Sequence, residues 1–121
     1  MNTKRDMLRI EVDIDGTIFE ESSDRTRVVQ KENAVAKINS LHEAGHIIII
    51  RSSRSWSEFQ TTEAQLLKAG VNYDILVLGK ISADIIIDDR AALFSGEWND
   101  TFLSHLDCTV SRKMREPRWK K

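Results

Sequence analysis

Four short stretches of this chain place reactive side chains directly after apolar runs. Asp13 and Asp15 interrupt "RIEVDIDGTIFEE" just before Gly16 and Thr17; Ser52, Ser53 and Arg54 follow "HIIIIR"; Lys80 follows "DILVLG"; Asp88 and Asp89 end "ADIIIDD". Carboxylates gathered at adjacent strand ends repel one another and lose hydration unless a cation or a proton compensates. Without His or Cys companions, carboxylate and carbonyl oxygens select a hard cation, and Mg²⁺ is commonly held by one or two carboxylates together with waters and phosphate oxygens. These residues therefore imply Mg²⁺ as cofactor, with Asp13, Asp15, Asp88 and Asp89 as candidate ligands, and a phosphorylated molecule as substrate. Lys80 can hold both a carboxylate and a phosphate, and the Ser52 hydroxyl with neighbouring main-chain N–H groups can donate to phosphate oxygens. Gly16 lets the chain turn sharply after Asp15. Thr17, Ser53 and Arg54 lie along the same edge and complete the candidate substrate-binding set.

Such a site needs strands to carry it. Leu8, Ile10, Val12 and Ile14 alternate with polar residues as a strand requires, and "HIIIIRS", "DILVLG" and "ADIIID" are short, nearly continuous aliphatic runs of the kind found in parallel strands covered on both faces. Between them the period changes. Ala34, Val35, Ile38, Leu41 and Ala44 recur at helical spacing and stop at Gly45; Phe59, Thr62, Leu66, Leu67 and Ala69 do the same, with Ser55 or Ser57 as N-cap and Gly70 at the end. A third helix would place Trp98, Phe102 and Leu106 on one face. The alternation predicts an α/β fold: a three-layer, Rossmann-like arrangement with a mainly parallel sheet of four strands flanked by helices. In such sheets function collects outside the carboxyl ends of the strands, where all four stretches end.

The bulk properties set the frame. A chain of 121 residues with 40% hydrophobic residues supports one core and one domain, and a formal net charge of −1 gives no general reason to invoke nucleic acid or an anionic membrane. The longest aliphatic run, Ile47 to Ile50, is far too short to cross a bilayer. A single cysteine, Cys108, forms no internal disulfide and reads as a small buried or half-buried side chain, and the first residues lack the order of a signal peptide; the expected location is cytoplasmic. Residues 1–111 form the expected domain. Residues 112–121, rich in Lys and Arg and carrying the only proline, read as a basic, loosely ordered tail. The polar excursion "EESSDRTRVVQK" between the first strand and first helix reads as a loop or small flap.

In order and type, "DIDGT", the serine after four isoleucines, the lysine of "LGK" and the "DD" after a further apolar run resemble the four motifs of the haloacid dehalogenase superfamily of phosphohydrolases. The likeness spans Leu8 to about Ala92, and "TTEAQLLKAGVNYDILVLGKISADIIIDDRA" is similar to a capless subgroup labelled capsular polysaccharide biosynthesis phosphatases. The resemblance implies that Asp13 is the nucleophile that forms an aspartyl-phosphate and that Asp15 is the general acid and base. It further implies that Ser52 orients the phosphoryl group, that Lys80 offsets charge, and that Asp88 completes a Mg²⁺ site with Asp89 behind it. Superfamily members often carry a cap domain between these motifs. Here about 36 residues separate Asp15 from Ser52 and about 27 separate Ser52 from Lys80, little more than a crossover helix needs. No sizeable cap fits, so the site should be open, or shielded by a second copy of the chain. Sugar phosphates are the first candidate substrates, nucleic-acid 3′-phosphate ends the second, and a membrane partner is not expected.

Other readings of the same residues are simpler. A phospho-receiver domain also joins acids, a hydroxyl and a lysine on a doubly wound sheet, but it pairs its acids after the first strand, places the phosphorylated Asp at the third and ends with Lys; here the acid pair follows Lys80. Phosphotransfer to an acceptor other than water, or a binding module that keeps the motifs without turnover, would use the same residues. Ser53 suits a helix cap, Arg54 either a substrate contact or an exposed ion pair, and Trp56 either packing or the border of the site. Arg51 would add a second cation if it faced the site. His42, His46 and His105 have no metal-ligand spacing.

Overall fold

The computed structural model describes residues 5–117, and they form a small α/β unit. Three strands, β1 (Arg9–Val12), β2 (Ile47–Arg51) and β3 (Ile75–Val77), make one parallel sheet in the order β1-β2-β3. The register sets Arg9 beside Ile47 and Val12 beside Ile50, then Ile49 beside Ile75 and Arg51 beside Val77. Helix α1 (Ala34–Glu43) crosses from β1 to β2, and α2 (Phe59–Ala69) from β2 to β3, so each returns the chain to a parallel neighbour. A larger cap domain is absent from the described residues.

The core follows from side-chain period. Ile48 and Ile50 of β2 are fully buried while Ile47 and Ile49 are half-buried. They pack with Ile14, Ile18, Phe19, Ile38 and Leu66, all fully enclosed. On α2 the inward face is Thr62 and Leu66, one turn apart; the predicted Leu67 is 79% exposed because it lies a further 100° or so round the helix. Ser55 is the N-cap of the 3-10 turn Trp56–Glu58 that leads into α2. It forms a capping box with Glu58, so the cap is Ser55 and not Ser53. Gly70 ends α2 in the left-handed region at φ 79°.

Three expectations are corrected. The aliphatic run before Asp88 is not a fourth strand: Ile85, Ile86 and Ile87 are 81%, 70% and 97% exposed, and among the described residues β1 is paired only with β2. The chain is anchored beyond this run by aromatic packing. Phe94, Trp98 and Phe102 meet at centroid distances of 5.0–5.4 Å, the Trp98 indole N–H donates to the Thr17 carbonyl at 2.8 Å, and the Asn33 side chain donates to the Trp98 carbonyl at 3.1 Å. Next, the basic segment does not loosen at residue 112. Helix α3 (Asp100–Arg115), capped by the Asn99 side chain on the Phe102 N–H, carries Arg112, Lys113 and Arg115 in its last turn, where cations complement the helix dipole. The last four residues of the predicted tail lie outside the described residues. Finally, Cys108 is exposed on α3. No helix among the described residues is long and apolar enough to cross a membrane.

Candidate active site

The end of β1 builds the first half of the site. After Val12 the chain buries Ile14 completely and leaves Asp13 and Asp15 partly accessible on either side of it, the alternation of extended backbone. The turn that follows is tight: the Thr17, Ile18 and Phe19 N–H groups all donate to the Ile14 carbonyl. Gly16 lies at φ +83°, where a side chain would be strained, which accounts for a glycine immediately after Asp15. The Thr17 hydroxyl reaches Asp13 Oδ2 at 3.5 Å.

The second half is set by main-chain bonds that prolong the β2–β3 pairing past the strand ends. Ser52 N–H donates to the Val77 carbonyl, Lys80 N–H to the Ser52 carbonyl and Gly79 N–H to the Arg54 carbonyl, at 2.8–2.9 Å. These bonds hold the segment carrying Lys80 against the one carrying Ser52. From there Lys80 Nζ reaches Asp13 Oδ1 at 3.1 Å, joining the ends of the first and third strands in one ion pair. Both side chains stay partly open, at 23% and 39% exposure. Ser52 is buried, and its hydroxyl accepts the Arg54 N–H at 3.1 Å. Gly79, at φ +76°, lies under the Trp56 indole; a Cβ there would stand 2.8 Å from Trp56 Nε1. Trp56 is 56% exposed, so an open aromatic face borders the Lys80 segment.

Arg54 turns inward. Its side chain is 1% exposed and its guanidinium forks onto Asp15, with Nε to Oδ2 at 2.9 Å and Nη2 to Oδ1 at 2.8 Å, while Nη1 donates to Thr62 Oγ1 at 3.1 Å and Gln65 Oε1 at 2.6 Å. The ion pair that Arg54 makes is buried and not the exposed one expected as the alternative to a substrate contact. Thr62 and Gln65 were not signalled by sequence: Thr62 reads as one position of an apolar helix face, and its hydroxyl matters only because Arg54 is folded against it. Gln65 in turn donates to the main-chain carbonyl of Arg25 in the loop of residues 20–30. The Arg25 guanidinium reaches both oxygens of Glu58 at 2.8 Å and, with the Ser55 N–H, holds that carboxyl below the usual carboxylate range. The loop is thus tied to the start of α2. At its tip, Asp24 closes a turn on Thr26, and those hydrogen bonds lower the Asp24 pKa.

The remaining predicted residues stand apart. Arg51 pairs with Glu11 at 3.1 Å, both half-exposed, so it projects to solvent. Ser53 is exposed. Asp88 accepts the Arg90 N–H at 2.8 Å and Asp89 is 94% exposed beside the same arginine. Among the described residues no three acids stand close enough to hold a metal ion, so the predicted set of four is not assembled. The carboxylate open for a metal is Asp13, with Asp15 two residues on. A set of one or two carboxylates fits Mg²⁺ where phosphate oxygens and waters fill the other positions.

No family model matches the sequence, and no curated protein is significantly similar to it. A crystal structure of a structural-genomics target from Vibrio cholerae is similar in fold, with a TM-score of 0.63 and 23% sequence identity, covering 88% of this chain and 99% of that one. That likeness supports the α/β architecture.

Proposed function

We propose that this chain is a phosphomonoester hydrolase of the haloacid dehalogenase type, with Asp13 as nucleophile and Asp15 as general acid and base. The observation that carries the reading is the Lys80–Asp13 pair at the carboxyl edge of a parallel sheet, with Asp15 two residues beyond Asp13 and the Ser52 main chain fixing Lys80. A carboxylate with an ammonium ion beside it can approach a phosphate dianion, because the cation offsets the charge on both.

In the first step an Asp13 oxygen attacks phosphorus while the bond from phosphorus to the ester oxygen breaks, and Asp15 gives that oxygen its proton. In the second, water attacks the phosphorus of the aspartyl-phosphate, Asp15 takes the water proton, and Asp13 leaves as a carboxylate beside inorganic phosphate. Lys80 and the Ser52 hydroxyl orient the phosphoryl oxygens, so the protein contributes mainly position and charge. Mg²⁺ is the proposed cofactor; Asp13 and the main-chain carbonyl of Asp15 would hold it together with the substrate's own phosphate oxygens, and it would neutralise phosphoryl charge. With no large cap among the described residues, the open edge favours substrates with a bulky alcohol, and sugar phosphates are the class we favour, in a cytoplasmic setting. Nucleic-acid 3′-phosphate ends are the second class.

The test is phosphate release from sugar phosphates, nucleotides and 3′-phosphorylated oligonucleotides, with Mg²⁺ or with EDTA, by wild type and Asp13→Asn. Metal-dependent release that Asp13→Asn loses at least a thousandfold, with its thermal unfolding unchanged, is the expected result. Turnover retained by Asp13→Asn would overturn the reading.

A further inference from the structure

We infer that Arg54 is the positioning residue of Asp15, and that Gln65 ties it to the loop of residues 20–30; the inference rests on the phosphatase reading above and assigns that site a control of its proton-transfer group. The starting point is the near-complete use of a buried cation. Arg54 has 1% exposure, and four of the five N–H donors of its guanidinium are spent on both oxygens of Asp15, on Thr62 and on Gln65. Enclosing an arginine is expensive unless a carboxylate faces it, and replacing such a pair by apolar side chains is often neutral. Geometry is what the pair provides. A planar fork bonded to both oxygens fixes the plane of the Asp15 carboxylate, which a lysine ammonium does not do.

That constraint suits a group that must give and then take a proton at one place. A carboxylate offers about four lone-pair positions over its two oxygens, and the Arg54 fork occupies one on each. Those remaining belong to a side chain that is 22% exposed. Held from the inside, Asp15 presents the same outer edge to the departing oxygen in the first step and to water in the second. Misplacing a catalytic group by about 1 Å can cost about a hundredfold in rate.

Gln65 extends the arrangement outward. Its Oε1 accepts from Arg54 Nη1 at 2.6 Å and its Nε2 donates to the Arg25 carbonyl. Both ends of one amide are used with consistent donor and acceptor roles, so the loop's main chain is two hydrogen bonds from the guanidinium that holds Asp15. The Arg25–Glu58 pair clamps the same loop residue at 2.8 Å. The loop is therefore a support for the proton-transfer group.

The experiment uses the full chain with p-nitrophenyl phosphate and Mg²⁺, at a temperature where thermal scans show each variant folded. Arg54→Lys should lower kcat about 10–100-fold with KM within about threefold. In an Asp15→Asn background the same substitution should change kcat by less than about twofold, because its effect runs through Asp15. Gln65→Met should lower kcat about 3–10-fold and speed tryptic cleavage at Arg25 and Arg27. A raised KM with kcat kept would make Arg54 a substrate contact, and an undiminished loss in the Asp15→Asn background would separate it from Asp15; either overturns the inference. As a measurement that needs no turnover, the Arg54 Nε–H signal in NMR should be protected from exchange and indifferent to inorganic phosphate; a phosphate-induced shift as large as that at Lys80 overturns it as well. Asp13→Asn keeps the two readings apart. If it retains turnover the phosphatase reading fails, whereas if it is inactive and Arg54→Lys is silent, only the role of Arg54 fails.

Discussion

Asp13 and Asp15 are two residues apart and chemically identical, yet their removal should have very unequal consequences for stability. Asp15 is the carboxylate partner of an arginine with 1% exposure. Taking away one member of a buried pair strands the other and costs about 3–5 kcal/mol. Asn keeps one acceptor oxygen but turns an NH₂ group toward the guanidinium, so Asp15→Asn should sit at the lower end, about 3 kcal/mol. At roughly 2.1 cal/mol/K per residue over 121 residues, the unfolding entropy is about 0.25 kcal/mol/K, and the loss corresponds to a fall in Tm of about 12 °C. Asp13 faces Lys80 with both side chains partly in water, at 39% and 23% exposure. Pairs of that kind contribute about 0–1 kcal/mol, so Asp13→Asn should move Tm by no more than about 4 °C. Differential scanning calorimetry of the two variants decides the matter. Adding Arg54→Met to Asp15→Asn should restore about half of the lost stability or more, since it removes the stranded cation, with Thr62 and Gln65 left short of a donor. Equal shifts for the two aspartates, or an Asp15→Asn shift under about 2 °C, would refute the burial argument.

Two further outcomes follow from the same structure. His46 is buried and its Nδ1 accepts the Leu8 N–H at 3.0 Å, a role open only to the neutral ring, and burial lowers its pKa below the ordinary 6.5. The unfolded chain therefore binds the proton first: the stability due to neutral His46 is complete above about pH 6.5 and is lost as pH falls from there through the depressed folded value. Chemical denaturation between pH 5 and 8 should show a slope in this window that His46→Gln largely abolishes, and an unchanged slope would count against it. Asp88 contacts only its neighbour Arg90 among the described groups, so with Asp13 as the accessible ligand, Asp88→Asn should leave the Mg²⁺ concentration for half-maximal activity within about twofold. A tenfold rise would place Asp88 at the metal during turnover.

How much of this was legible in the sequence depends on the range of the interaction concerned. The sheet and its crossover helices rest on local period and local stops, and Ile48, Ile50, Ile38 and Leu66 fall where the pattern puts them. Asp13 and Lys80 come together for a reason nearly as local, since parallel strands of adjacent register deliver their next residues to one edge. The failures have long-range causes. "ADIIID" has the composition of a strand enclosed on both faces, but composition does not supply a neighbour, and the chain beyond it is fastened instead by Trp98 to Thr17 and by Asn33 to Trp98. Asn33 shows the same limit on a small scale: it stands at the start of α1 as a cap residue would, with φ at 70° and no side-chain cap bond, because its amide is used 65 residues away. The direction of Arg54 is the consequential case. Two residues after Ser52, an arginine reads as a surface cation at a phosphate site; which way it points is decided by whether α2 offers acceptors one turn apart at Thr62 and Gln65, and by whether the Asp15 carboxylate meets the rest of its guanidinium. A charge beside a strand end therefore identifies the site but not the job. The job depends on the acceptors behind it, and here those acceptors make Arg54 the buried partner of Asp15.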